Sequence, residues 1–461
     1  MMRRVLVYRS DLLPPSETFI AAQAHALRRY APVFAGLRRS VPTLALPSAA
    51  SPSLARSAGE RLLFQYFGRS RGLIAQVRAH APALIHAHFA LDGAEAVPLA
   101  QALGIPLVVT LHGYDVMCSD KTHRETRRGR RYLARRENLW RMAECFVCVS
   151  HAVRARALQQ GFPADKLQVL PIGVRPEPCL RTLAPGDTVL FVGRLVHKKG
   201  CAILLDAMLQ VQRQLPHAKL RVAGDGPERR SLESKASALG LCAEFLGMRS
   251  AAEVRLEMQQ ARCLAAPSIT AASGDAEGLP IVLCEALGMG LPVASTWHSG
   301  IPELIEHRVH GLLAREGDAA TLAQHLVELC SNDSLVQSLR EAGYARIQQH
   351  FHLDRQTALL ESLYDEAVAG QRRGPAASDA RALTPLPPPF APLEWDEEAT
   401  LSVRSRMPSR RSLDAELPSM KMHREEPAHS TRKLPANAAE AAGKYPTPRE
   451  HPQAACVRKD R

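Results

Sequence analysis

The chain has 461 residues, 46% of them hydrophobic and 23% charged, and a net charge of +13 at pH 7. Such a length carries two or three domains with large cores and excludes a small stapled scaffold, and no stretch approaches the ~18 uninterrupted apolar residues of a membrane-spanning helix. The charge is uneven: Lys and Arg exceed Asp and Glu by 14 over residues 1–185, fall short by 5 over 186–370 and exceed them by 4 over 371–461, which turns the first third toward something acidic.

In MMRRVLVYRSDLLPP only Val5 to Tyr8 are apolar before Arg9 and Asp11. That is too short for a secretory h-region and reads as a first β-strand. Ser16 is the expected N-cap of a helix over SETFIAAQAHALRRY. Further strands are expected at Leu84–His88, Leu107–Leu111 and Phe146–Ser150, followed by DGAEAVPLAQAL, a long basic segment and HAVRARALQQG respectively. Cys145 and Cys148 make a CxxC with no second pair and no suitably spaced His pair, so neither a metal nor redox chemistry is expected there. The ten scattered cysteines suit buried thiols in a reducing, cytoplasmic compartment.

PIGVRPEPCLRTLAPGD, near residues 171–187, has the Pro and Gly content of a linker. A second series follows, with strands at Thr188–Val192, Lys219–Ala223, Ala243–Leu246, Leu264–Pro267 and Pro292–Ser295, and helices over 200–214, 228–239 and 280–288. Strands alternating with helices at this spacing predict parallel sheets covered on both faces, hence two doubly wound α/β domains. The expected boundaries are 1–175, a linker at 176–187, and 188–370. Residues 371–461 hold 13 of the 33 prolines among dispersed charges and are expected to be disordered. A ligand is expected in the cleft between the domains, at the carboxyl ends of the strands.

Several groups stand where such a ligand would bind. After Thr188–Val192 comes GRLVHKKG: Gly193 permits a tight turn, and Arg194 and Lys199 precede a helix whose free N–H groups favour an anion. GDGPE after Lys219–Ala223 lacks the third glycine of a dinucleotide fingerprint, because position 229 is Arg. In GDAEGLPIVLCEALGMGLPV, Glu277 falls in a strand-end loop and Glu285 about two turns on, along the following helix. Carboxylates so placed accept paired hydrogen bonds from sugar and ribose hydroxyls. A salt bridge by Glu285 and helix capping by Glu277 are the plainer readings. His86 and His88 share one strand face, but a third metal ligand is missing.

GRLVHKKG, GDGPE, PSITAASGDAEGLPIVLCEALGMGLPV and HSGIPELIEHRVHGLL resemble, in order and spacing, the second half of retaining glycosyltransferases of the GT-B fold, family 4. IHAHFALDGAEAVPLAQALGIPLVVTLHGYDV and FVCVSHAVRARALQQGFPADKLQVLPIGV resemble the acceptor domain of its capsule, colanic-acid and exopolysaccharide branch. The resemblance covers about residues 4–365. It implies two Rossmann-like domains facing a cleft, a nucleotide diphosphate sugar as donor, no metal or other cofactor, and a polysaccharide or lipid-linked acceptor of cell-surface synthesis. By it, Gly193, Arg194, Lys199, Glu277, Gly278, Leu279 and Glu285 bind the donor, with Glu277 on the sugar, Glu285 on the ribose, and backbone N–H groups offered by Gly278 and Leu279. His112, Arg194, Lys199 and Glu277 are the implied catalytic set, and Ser16, Glu17, His112 and Asp115 lie on the acceptor side. The chain departs from many relatives in having LLPPSETFI in place of a glycine-rich first loop.

Residues 121–146, KTHRETRRGRRYLARRENLWRMAECF, carry nine Lys and Arg in their first 21 positions, with Leu133, Leu139, Trp140 and Met142 close together on a helix. Such a helix suits an anionic bilayer, which would make the protein peripheral to the inner face of the membrane; a solvated helix face is the plainer reading. No recognition motif supports nucleic acid. A non-catalytic sugar-nucleotide binder and a soluble glycosyltransferase with a small-molecule acceptor remain the alternatives.

Overall fold

The computed structural model describes residues 2–14, 17–39, 52–177 and 187–370. Ser16, most of the expected linker and the segment expected to be disordered, 371–461, lie outside them.

The first lobe is built on a seven-stranded sheet. In spatial order its strands are Ser53–Leu54, Tyr30–Gly36, Arg3–Tyr8, Leu84–His88, Leu107–Leu111, Ala143–Cys148 and Leu167–Val169, all parallel. The second lobe has six parallel strands in the order Ala243–Gly247, Lys219–Ala223, Thr188–Val192, Cys263–Ala266, Val293–Thr296 and Leu312–Ala314. Counted along the chain, each sheet runs outward from its first strand and then reverses to the other side. The reversal leaves a crevice beside that first strand, where ligands of doubly wound sheets bind. The central strands are buried along their whole length, as helices on both faces require: every residue of Leu84–His88 and of Leu107–Leu111 is buried, the polar His86, His88 and Thr110 included.

Side chains cap the helix starts with the residue types that favour this position. Ser150 accepts from the Val153 N–H, and Ser250 with Glu253 forms a reciprocal capping box. The first helix, Thr18–Ala26, differs from expectation: Glu17 stands at its N-terminal boundary and makes no capping bond.

The second domain does not end as expected. After Phe351 the chain crosses back, with the Val174 and Leu353 N–H groups bonding to the Phe351 and Val174 carbonyls at 2.9 and 2.8 Å. Helix Leu353–Ala369 then lies on the first sheet, so residues 353–369 belong by packing to the first lobe. One carboxylate oxygen of Glu361 accepts from the N–H groups of Arg28, Arg29 and Tyr30 at 2.8, 2.6 and 3.2 Å, and the Tyr364 hydroxyl meets His86 Nδ1 at 2.6 Å.

The lobes touch along the cleft. Glu303 of the second lobe accepts from the His151 and Ala152 N–H groups at 2.7 and 2.8 Å, at the start of helix His151–Gln159 in the first. That is the favoured place for a carboxylate on a helix. Ser150 Oγ donates to the Gly278 carbonyl at 3.1 Å. Gly113 has φ of +126°, and a Cβ there would stand 2.7 Å from the Gly278 nitrogen, so glycine is required on steric grounds as well as conformational ones.

Candidate active site

Strands Thr188–Val192 and Cys263–Ala266 are neighbours at the reversal point of the second sheet, so the loops leaving them converge. The first carries Gly193, Arg194 and a short turn at His197–Lys199. Leu195 is fully buried and anchors it, and Gly200, with φ of +67°, leads into helix Cys201–Gln214. The second loop is tied to it by the Ile269 N–H on the Lys198 carbonyl at 2.8 Å.

Within this crossing, Lys199 Nζ lies 2.9 Å from Glu277 Oε2. Lys198 Nζ lies 2.9 Å from Asp275 Oδ1 and 3.6 Å from Glu277 Oε1. Burial pushes the Glu277 carboxyl up, but Lys199 and then Lys198 outweigh it and hold the group down to about 2. Glu277 Oε1 is buried and accepts no hydrogen bond, a state normally avoided unless a ligand or water completes it. The N–H groups of Gly278 and Leu279 beside it donate to no group among the described residues. Arg194 is exposed and joins no ion pair among the described residues.

The backbone at Glu277 is held from behind. Its N–H donates to His298 Nε2 at 3.0 Å, and Ser299 Oγ donates to its carbonyl at 2.5 Å. Because Nε2 accepts, the His298 proton sits on Nδ1, 2.6 Å from Glu316 Oε1. Glu285 lies farther along, on helix Ile281–Gly288, outside the Lys199–Glu277 pair. Burial raises its carboxyl to about 7, against the opposing pull of Arg255.

Across the cleft His112 ends strand Leu107–Leu111. Its Nε2 lies 3.1 Å from His88 Nδ1, and the rings of Phe89, Phe19 and His88 surround it at 4.5, 5.2 and 5.3 Å. Burial, then the charge of Arg9, drives its pKa well below the usual imidazole range, so the ring is neutral at pH 7. His86 spends both ring nitrogens, on Thr110 Oγ1 at 2.7 Å and on the Tyr364 hydroxyl. The shared face of His86 and His88 is thereby a hydrogen-bonded stack.

Two acceptor-side expectations change. Asp115 is fully buried, and its oxygens accept from the N–H groups of Ala90, His112 and Gly113 at 2.9, 3.1 and 3.0 Å. It therefore shapes the turn that presents His112 rather than facing the cleft. Glu17 is bound to Arg9, with Arg9 Nε 2.9 Å from Glu17 Oε2, and Arg9 is also paired with Asp92 and stacked 4.5 Å over Phe89. Lys198 and His298 touch Glu277, and Arg9 touches Glu17; none of the three is among the residues that the sequence singles out. Arg9 was signalled by its place directly after the first strand, and Lys198 by its place beside Lys199.

Residues 20–178 match the Glycosyltransferase Family 4 domain and residues 186–332 the Glycosyl transferases group 1 domain. WcaL of Salmonella typhimurium, a glycosyltransferase provisionally named for colanic acid biosynthesis, is 32% identical over 287 residues, 59% of this chain and 69% of that protein. The chain belongs to the family 4, group 1 glycosyltransferases. The amylovoran biosynthesis glycosyltransferase AmsK of Erwinia amylovora is 34% identical over 220 residues, 46% of this chain, and the match spans little more than half, 54%, of AmsK. The crystal structure of Anabaena HepE in complex with UDP and glucose superposes with a TM-score of 0.63 at 21% identity, covering 79% of this chain and all of HepE. That likeness shows that this family 4 chain has the GT-B fold.

Proposed function

We propose that this family 4 chain transfers a sugar from a nucleotide diphosphate sugar to a polysaccharide or lipid-linked acceptor in the synthesis of a cell-surface polysaccharide, with retention of anomeric configuration. The observation that carries the reading is the unfilled buried oxygen of Glu277, flanked by two lysines and by the unpartnered N–H groups of Gly278 and Leu279. Donor-sugar hydroxyls satisfy that oxygen, Arg194 and Lys199 meet the diphosphate, and Glu285 accepts from the ribose hydroxyls.

As the bond from the anomeric carbon to the diphosphate oxygen breaks, positive charge grows on the carbon and negative charge on the departing phosphate. Lys199, already fixed by its ion pair with Glu277, stabilises that separation more than it stabilises the ground state. The acceptor hydroxyl attacks from the side of the leaving group, its oxygen bonding to the anomeric carbon and its proton passing to the departing phosphate oxygen. Side-chain cations meet the diphosphate charge in this reading, and the neutral His112 imidazole stands beside the sugar. Similarity to AmsK and WcaL supports the cell-surface polysaccharide, and the UDP and glucose held by HepE support the donor class.

The test is a thermal-shift screen against UDP, GDP and ADP sugars, followed by turnover of the stabilising donor without acceptor. At least one donor is expected to raise the midpoint and to be hydrolysed, and Glu277→Ala to abolish hydrolysis. Binding without any turnover would instead make the chain a sugar-nucleotide binder.

A further inference from the structure

Helix Ala58–Phe67 has a single fully buried anchor, Phe64. Around it Leu62, Leu63, Tyr66 and Phe67 are 55, 46, 46 and 70% exposed. These are four of the ten exposed large hydrophobic residues among the described residues, gathered on one helix of ten residues. At about 100° per residue they fall within an arc of about 140°, so they form one face. A contiguous apolar face of this kind on a protein surface marks an interaction site.

Its surroundings are basic. Arg69 and Arg71 follow directly and are exposed. Arg135 donates to the Tyr66 carbonyl at 2.6 Å, and the Arg131 guanidinium lies 5.1 Å over the Tyr66 ring. Both arginines come from helix Arg127–Met142, the basic segment of the sequence. The apolar residues of that helix do not serve a bilayer as the sequence suggested. Leu139 is fully buried, and Leu133, Trp140 and Met142 pack against the main core. The basic helix supplies charge to the rim, and the exposed apolar face belongs to its neighbour.

We infer that helix Ala58–Phe67 docks the first lobe onto an anionic lipid surface, its Leu62, Leu63, Tyr66 and Phe67 face entering the headgroup and acyl boundary while the flanking arginines meet lipid phosphates. Apolar burial and attraction to anionic headgroups are the two contributions that hold such helices in an interface. The charge around the face selects a bilayer over an uncharged partner. The basic helix is itself fixed to the first lobe by ion pairs: Arg131, under Tyr66, reaches Glu95 at 3.5 Å, and one turn earlier Arg128 pairs with the buried Asp92.

The experiment is co-sedimentation of the full chain, without donor, with phosphatidylglycerol-containing vesicles and with pure phosphatidylcholine vesicles at low salt. The wild type is expected to pellet with the anionic vesicles, and Leu62→Glu with Phe67→Glu to lose about tenfold or more in binding. Arg69→Glu with Arg71→Glu is expected to weaken binding and reduce its salt dependence. Neither pair is to change the thermal midpoint by more than a few degrees or the acceptor-free turnover of donor. A wild type that stays in the supernatant, a double Glu variant that binds as well as the wild type, or a face whose substitution abolishes self-association instead would each overturn the inference. Vesicle binding by a chain that transfers no sugar would leave it standing and remove only the transfer reading.

Discussion

Lys199 Nζ and Glu277 Oε2 stand 2.9 Å apart, joined across two loops separated by 78 positions in the chain. The pair places a cation and a carboxylate on one small surface at the carboxyl end of the second sheet. In the proposed transfer Lys199 meets the departing phosphate, so Lys199→Ala is expected to lower turnover about 10²-fold or more. Steady-state kinetics with the donor found in the screen measures it; wild-type turnover in the variant would refute a role for this cation.

The same pair has an acid signature. The Glu277 carboxyl is held down to about 2 in the folded chain, below the ordinary ~4.3 of an unfolded glutamate. A depressed acid contributes stability that is present above the ordinary range and is lost as pH falls from there toward 2. The contribution is of the order of 2–3 kcal/mol. Glu277→Gln should lose that part of the acid sensitivity, so wild-type and variant midpoints, well separated at pH 6, draw together as pH falls toward 2.

Glu285 carries the opposite sign. Burial raises it to about 7, so between the ordinary glutamate range and pH 7 the folded chain holds a proton that the unfolded chain has released. Stability therefore falls as pH rises through that window, by up to about 3 kcal/mol. Glu285→Gln is expected to melt higher than the wild type at pH 8 and at the same temperature at pH 4. With Glu285 on the ribose, as proposed, nucleotide affinity should rise through pH 7 in the wild type as the carboxylate ionises, and stay flat in the variant. Equal melting of the two proteins at pH 8 would count against the buried carboxylate.

His298 acts on the site only through Glu277. Its Nε2 takes the Glu277 N–H, and its Nδ1–H is fixed by Glu316. His298→Ala leaves that N–H unpaired, while Glu316 Oε1 keeps the Thr270 hydroxyl; the loss costs about 1–3 kcal/mol and should raise KM for donor more than it lowers kcat. His298→Gln, which can present an acceptor near the Nε2 position, is expected to recover part of the affinity. An unchanged KM in His298→Ala would show that the loop keeps its shape without the imidazole.

Glu361 ties the last described helix to the first lobe by accepting from three consecutive N–H groups, at Arg28, Arg29 and Tyr30. Glu361→Ala is expected to cost about 1–3 kcal/mol because it removes the acceptor of three backbone donors, one of them the buried Tyr30 N–H, and urea unfolding would measure it. A loss below 0.5 kcal/mol, roughly the scatter of surface substitutions, would argue against this attachment.

The alternation of apolar runs and helical patterns determined the α/β class and the pair of doubly wound sheets, because burial on both faces of a parallel strand leaves a local mark in composition. It also brought out Arg194, Lys199, Glu277 and Glu285, each beside a strand end or glycine turn that local patterning can locate, whereas His112 came from the family resemblance. Other features depended on distant packing. The return of Leu353–Ala369 to the first sheet, the satisfaction of His86 by Tyr364, and the closure of Asp115 onto three backbone N–H groups join groups whose partnership leaves no local trace in the chain. Arg127–Met142 makes the same point on the surface. Its sequence shows apolar and basic residues on one helix, but tertiary packing alone decided that the apolar ones turn inward and that the exposed face is Leu62, Leu63, Tyr66 and Phe67 of a neighbour. Periodicity reports that a residue has an apolar environment; whether core or solvent meets it depends on which elements the topology brings alongside.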